Sequence, residues 1–201
     1  MNGWLRRDFV KGAALLALAY GLPAAAADPA GLDPAAAPDP RALLRLRSVC
    51  QIVIPRTDTP GAGDVGAAEF VFLALAHGLE GTHRPVSAPQ WAAHTRSDGT
   101  FDHAGWLAAE LDRRCGGDFT RAAPAAQLAA VEAMDREGYA APAWHPWKPL
   151  KTLILTGYYT SEAGGSQELR YELIPGRWDP DLPATGETRA LSSDWTAVDF
   201  G

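Results

Sequence analysis

The chain has 201 residues, a net charge of −6 and 47% hydrophobic side chains. That balance excludes a disordered polypeptide, and equally a basic binder of nucleic acid or of an anionic membrane surface. Arg6, Arg7 and Lys11 against Asp8 give the first 27 residues a net charge of +2, so the remainder carries −8.

Within residues 1–27, the stretch from Leu5 reads Leu-Arg-Arg-Asp-Phe-Val-Lys, passes through an Ala/Leu run and leaves by Pro23 and four alanines. A charged start, a short apolar middle and a small-residue exit form the layout of an export signal. Arg6-Arg7 with Phe9 and Lys11 read as a twin-arginine signal, the kind that carries folded proteins across a bacterial inner membrane. Gly12 to Leu22 falls short of the about 20 apolar residues that a spanning helix needs. The expected cut follows Ala25-Ala26-Ala27; a retained amphipathic anchor is the other reading. Residues 28–40 are, apart from Leu32, Pro, Ala, Asp and Gly without apolar period, which predicts a flexible tether. Residues 41–201 are expected to form a single domain.

Asp39 as cap and Pro40 at the first position open a predicted helix carrying Leu43, Leu46, Cys50 and Val53, and Pro55 stops it. A polar turn runs from Arg56 to Gly63. Asp64 is expected to cap a second helix with Val65, Ala68, Phe72, Ala76 and Leu79 inward and Gly81 at its end. Thr82 to Thr100 shows no period and reads as loop. Asp102 starts a third helix with Leu107, Leu111 and Cys115 on one side, terminated by Gly116-Gly117. Pro124 to Glu137 forms a fourth, with Leu128, Val131 and Met134 inward and Gly138 after it. Ala141 to Pro149 is too rich in proline for continuous helix. A fifth helix starts near Pro149 and carries Leu150, Leu153, Ile154, Gly157 and Tyr158 on one face. Leu169, Tyr171 and Leu173 alternate as a short strand, and Pro175-Gly176 turns the chain. The tail is polar, with Trp178 and Trp195 as pegs. The fold class is mainly α: a small domain of about five helices with long loops and an irregular C-terminal arm.

Chemistry is scarce. Gly61-Ala-Gly63-Asp-Val-Gly66 matches G-x-G-x-x-G formally, but Pro55 and Pro60 separate it from the preceding apolar run and no βαβ pattern follows. The histidines His77, His83, His94, His103 and His145 lack metal-ligand spacing, and there is no C-x-x-C. Ser161 beside Glu162 lacks the glycine of a nucleophile elbow, and reads better as a pair satisfying loose backbone groups at a helix end. Trp144, Trp147, Tyr158 and Tyr159 are candidates for stacking on a sugar or flavin, and equally for core or interface anchors. Cys50 and Cys115 are either bridged, as an oxidising compartment favours, or two free thiols. No catalytic, cofactor-binding or metal-binding residue is assigned.

Two stretches carry a resemblance. Ile54-Pro-Arg-Thr-Asp-Thr-Pro-Gly-Ala62, followed by a helix, resembles the N-terminal signature of the gluconate 2-dehydrogenase subunit 3 family. Lys151-Thr-Leu-Ile-Leu-Thr-Gly-Tyr-Tyr-Thr-Ser-Glu-Ala-Gly164, then Leu169-Arg-Tyr-Glu-Leu-Ile-Pro-Gly176, resembles its C-terminal signature. Gly81 to Pro149 and the tail past Trp178 carry no motif of that family. The resemblance implies the non-catalytic small subunit of a periplasmic dehydrogenase for gluconate, sugars, glycosides or polyols. A large flavoprotein partner of the glucose–methanol–choline type would hold FAD, and a multihaem cytochrome c is an optional third subunit. The small subunit itself would hold no cofactor. It would escort the leaderless flavoprotein through the twin-arginine translocase and stabilise it at the periplasmic side of the inner membrane. The motif positions that carry over are Thr57, Asp58, Thr59, Pro60 and Gly61, then Gly157, Tyr158, Tyr159, Thr160, Ser161, Glu162 and Gly164, then Pro175 and Gly176. They are expected to be structural or interface positions. The competing expectation is a free-standing periplasmic sugar-binding protein or enzyme built on the Trp/Tyr-rich region.

Overall fold

A computed structural model describes residues 38–171, together with Pro183, Thr185, Gly186, Thr188 and Leu191–Ser192. The export-signal residues Arg6, Arg7, Phe9 and Lys11 lie outside the described residues, as do Leu173, Pro175, Gly176, Trp178 and Trp195. Among the described residues the order is α1 (Pro40–Val53), α2 (Ala67–Ala76), α3 (His103–Cys115), α4 (Pro124–Ala140) and α5 (Trp147–Tyr159), and the protein is mainly helical as expected. A π turn over Gly164–Glu168 leads to β1 (Arg170–Tyr171), which pairs in parallel with β2 (Leu191–Ser192). None of the described helices is long and apolar enough to cross a membrane.

Helix α1 begins as its sequence dictates. The Asp39 carboxylate accepts from the Ala42 N–H at 3.3 Å, and Pro40 takes the first position, where no amide is needed. It ends at Val53, because Pro55 forces Ile54 into extended backbone. Helix α3 is capped by Asp102, which accepts from the Gly105 N–H at 3.2 Å, and stops at the left-handed Gly116.

Helix α2 departs from expectation at its start and on its buried face. It begins at Ala67, after Gly66 in the left-handed region (φ 80°), and Asp64 does not cap it. Asp64 faces back into the preceding turn, accepting from the Gly61 N–H at 2.9 Å and pairing with Arg56 at 2.8 Å. Ala67, Ala68, Phe70, Val71, Leu73 and Ala74 are buried, whereas Ala76 is exposed. A helix apolar on nearly every side belongs inside the domain, not on its rim. Helix α4 runs three residues past Glu137, and Gly138 sits buried within it under the Trp147 indole. Leu128 points outward, 46% exposed, against the inward position its spacing suggested. Helix α5 starts at Trp147, because a proline in the first turn, Pro149, breaks no helical hydrogen bond. The Trp147 N–H donates to His145 Nδ1 at 3.2 Å. The stretch read as loop holds 3-10 turns at Pro89–His94 and, just before it, at Leu79–Gly81, and it closes on an antiparallel bridge between Thr95 and Phe101.

The core forms around α5. Trp147, Leu150, Leu153, Ile154, Gly157 and Tyr158 are all buried, and the broadest pairing of helices is α2 with α5. Polar clamps tie the outer helices on. Arg45 of α1 donates to Asp112 of α3 at 3.0 Å, and Asp112 also accepts from the Phe119 N–H at 2.9 Å. Asp135 of α4 takes the Trp147 indole N–H at 2.6 Å and the Lys151 ammonium at 2.8 Å. Arg114 of α3 reaches Glu137 of α4 at 2.5 Å. Cys50 is buried on α1 and Cys115, half-buried, ends α3; both are free thiols.

Candidate functional site

The two motif segments meet. Residues 54–62 leave α1 and fold into a closed loop. The Ala62 N–H donates to Ile54 O at 2.9 Å, and the Thr57 N–H to Thr59 O at 3.0 Å. Gln51, one turn back on α1, accepts from the Gly63 N–H at 3.1 Å. This stiff loop buries Thr59 and Gly61 and leaves Thr57 and Asp58 exposed, with Pro60 between the two conditions.

Tyr158 enters that loop from the end of α5. Its hydroxyl donates to Pro60 O at 3.1 Å and lies 3.5 Å from Thr59 Oγ1. Thr59 Oγ1 in turn donates to Glu168 Oε2 at 2.8 Å. Glu168 closes the π turn that begins at Gly164, so three parts of the chain are clasped through one buried hydroxyl pair. Each such bond is worth about 1 kcal/mol net, and a buried hydroxyl left without one costs about 1–3 kcal/mol. Tyr159 packs edge-on against Tyr158 with ring centroids 5.1 Å apart. Burial pushes the Tyr159 hydroxyl above its ordinary pKa, and the nearby Glu168 charge pushes the same way.

The remaining motif residues shape the backbone. A side chain at Gly157 would set a Cβ 2.8 Å from Phe70 Cδ1 and 3.3 Å from Ala67 Cα, so only glycine lets α5 press against α2 there. Ser161 is buried; its hydroxyl donates to Tyr158 O at 2.6 Å and accepts from the Gly164 N–H at 3.2 Å. At Gly164 a Cβ would run into the Tyr158 carbonyl. Thr160 and Glu162 are exposed. The structure thus brings Thr59, Pro60, Tyr158, Ser161 and Gly164 into one joint, with Thr57, Asp58, Thr160 and Glu162 on its outside.

This joint holds polar groups in place. Ser161 is engaged on both sides by backbone, and His94, His103 and His145 pack edge-on or tilted against the rings of Trp91, Phe101, Trp106 and Trp144. His83 Nε2 donates to Leu75 O at 2.8 Å, His103 Nδ1 donates to Phe101 O at 3.1 Å, and His145 caps α5. Among the described residues no group of three or more His, Cys, Asp or Glu could hold a metal ion. The glycines of the formal G-x-G-x-x-G follow helix α1, where a dinucleotide site would have a strand.

A family model described as gluconate 2-dehydrogenase subunit 3 matches residues 41–176. The chain belongs to the gluconate 2-dehydrogenase subunit 3 family. Neither the curated proteins nor the solved structures give a match. For a gluconate 2-dehydrogenase subunit 3, the matched region starts inside α1 and extends past the clasp, so both signatures lie within it. It also runs through residues 81–149, where the sequence offers no motif of its own.

Three functional-looking positions of this subunit escape the sequence. Glu168 follows the Gly-Tyr-Tyr-Thr-Ser-Glu signature by six residues and has no mark beyond its charge. Asp135 looks like one more solvated acid on α4. Glu80 is the one described non-glycine residue with positive φ (54°), and only its place between Gly78 and Gly81 hints at that.

Proposed function

We propose that this gluconate 2-dehydrogenase subunit 3 is the non-catalytic small subunit of an FAD-dependent dehydrogenase of the glucose–methanol–choline type. The large partner would hold FAD and oxidise gluconate, a sugar, a glycoside or a polyol. A multihaem cytochrome c, as an optional third subunit, would then accept the electrons. In this reading residues 1–27 are a twin-arginine signal, 28–40 a tether and 41–201 the subunit body, and the complex sits at the periplasmic side of the inner membrane. The family match over residues 41–176 carries the proposal, since the family's own description makes the chain a dehydrogenase subunit. Two features support the finer claims. The Arg6-Arg7 leader suits export of a body already folded. The clasp uses its hydroxyls internally, which leaves Thr57, Asp58, Thr160 and Glu162 around it as contacts for a partner.

The experiment is co-expression with the proposed flavoprotein partner. Replacing Arg6 and Arg7 with lysines is expected to hold both chains and the dehydrogenase activity in the cytoplasm. Active flavoprotein in the periplasm of that strain refutes the escort. An absorbance spectrum of the purified small subunit is expected to show no flavin band, and a bound flavin there refutes the division of labour.

A further inference from the structure

Residues 141–146, which join α4 to α5, form a strap tied to the start of α5 at both ends. At one end the Lys148 ammonium donates to Ala141 O at 3.2 Å. At the other the Trp147 N–H donates to His145 Nδ1 at 3.2 Å. Trp147 is the first residue of the helix, so its amide has no acceptor within α5, and among the described residues the imidazole is its one partner. Between the two ties the strap carries Trp144, which is 41% exposed. Its indole stands edge-on to Trp91 and Phe101, with ring centroids 6.1 and 5.3 Å apart, and forms a wall of the cavity beside residues 80–91.

The His145 tie works in one protonation state. To accept, Nδ1 must be bare, so the neutral ring carries its proton on Nε2. A proton on Nδ1 would set N–H against N–H. The ring has no room to adjust in place. Helix α4 closes the Nδ1 side, where a Cβ on Gly138 would lie 3.2 Å from that nitrogen. Trp91 and Trp106 stand edge-on to the ring at 5.4 and 5.6 Å. Turning the ring over would present carbon to the Trp147 N–H. An imidazolium there would also meet the positive end of the α5 dipole.

The surrounding charges leave the neutral ring favoured. Helix α3 brings Glu110 and Arg114, α4 brings Glu137 and α5 brings Lys148. Arg114 already pairs with both acids, Glu110 at 2.6 Å and Glu137 at 2.5 Å. The 3-10 turn at Pro89–His94 presents the uncharged Trp91 indole, and its His94 packs on Phe101 instead. Burial, with Lys148 and Arg114, pushes the ring below its ordinary 6.5 against the pull of Glu137 and Glu110. A ring that takes a proton more readily outside its site makes the open strap the proton-binding form, so acid favours opening. The helices do not hang on the strap, since Asp135 of α4 holds Trp147 and Lys151 of α5 directly.

We propose that His145 is an acid-released latch: a proton on Nδ1 frees residues 141–146 from the start of α5 and lifts Trp144 off Trp91 and Phe101, while the described helices stay packed. The latch belongs to this chain and stands whether or not the escort reading holds.

The test is amide hydrogen exchange by NMR on the full chain at pH 7 and pH 5, read as protection factors so that the intrinsic pH dependence of exchange cancels. The Trp147 amide is expected to lose about tenfold in protection at pH 5, while Leu153 and Ile154 inside α5 keep theirs. Acrylamide quenching of tryptophan fluorescence should rise over the same range, and that rise should shrink in Trp144→Phe. His145→Asn leaves an amide oxygen to cap Trp147 and nothing to titrate, so both changes are expected to vanish. His103→Gln is expected to keep them, which assigns them to His145. Unchanged Trp147 protection in the parent, an equal loss at Leu153 and Ile154, or a loss that persists in His145→Asn each overturns the latch.

Discussion

Tyr158 and His103 show how single side chains set measurable energies. Removing the Tyr158 hydroxyl strips Pro60 O of its donor and Thr59 of a neighbour, so Tyr158→Phe is expected to lower unfolding stability by about 1–2 kcal/mol in a urea titration. Thr59→Val, which also removes a donor from Glu168, should couple to it in a double-mutant cycle because both act on one network. His103 acts through protons. Burial lowers its ring from 6.5 to about 4, the Phe101 carbonyl opposing only in part. A native ring that resists protonation makes the unfolded chain the first to bind the proton as pH falls. Stability is therefore whole above pH 6.5 and declines toward pH 4, by up to about 3 kcal/mol at 1.36 kcal/mol per unit. Denaturation midpoints measured across that window should show this slope, and His103→Gln should flatten it. Asp135 belongs to a lower range. Burial pushes its carboxyl up, but the Lys151 ammonium and Trp147 N–H outweigh that and hold it below the ordinary value.

At the scale of elements, the α2–α5 pairing depends on Gly157. Gly157→Ala would press a methyl group into the Phe70 ring and is expected to cost about 1–3 kcal/mol, the usual range for overpacking, read as a lower thermal midpoint. Phe70→Leu in the same chain should recover part of it by clearing the space. Most elements were legible from the chain alone, and for physical reasons. Asp39-Pro40, Pro55, Asp102 and Gly116 act locally, within one turn, and local signals survive folding. The buried face of α5 was legible because helical spacing picks out Leu150, Leu153, Ile154, Gly157 and Tyr158. Helix α2 was misread because period requires a polar face, and a central helix has little of one. Leu128 was misread for the opposite reason: α4 places it outward although its spacing fits the core. The clasp was half legible. Its Thr59 and Tyr158 lie in the signatures, but the Glu168 acceptor is chosen by tertiary contact, which no short window contains.

Across the whole molecule, the two thiols report on different depths. Burial raises the Cys50 thiol to about 12, with the Glu69 charge adding to it, so it is neither ionised nor reachable in the folded state. Cys115 is half-exposed at the end of α3. A thiol reagent under native conditions is expected to label Cys115 and spare Cys50, and labelling of Cys50 should keep pace with global unfolding measured by circular dichroism. The clasp has its own bearing on how the protein is made. Thr59 finds its acceptor 109 positions downstream. At the ribosome's about 5–20 residues per second, roughly 5–20 s separate the synthesis of one from the other. For that interval the loop after α1 is a nascent segment with its stabilising tyrosine and glutamate still untranslated, and chaperones that survey emerging chains meet it before its own C-terminal half does.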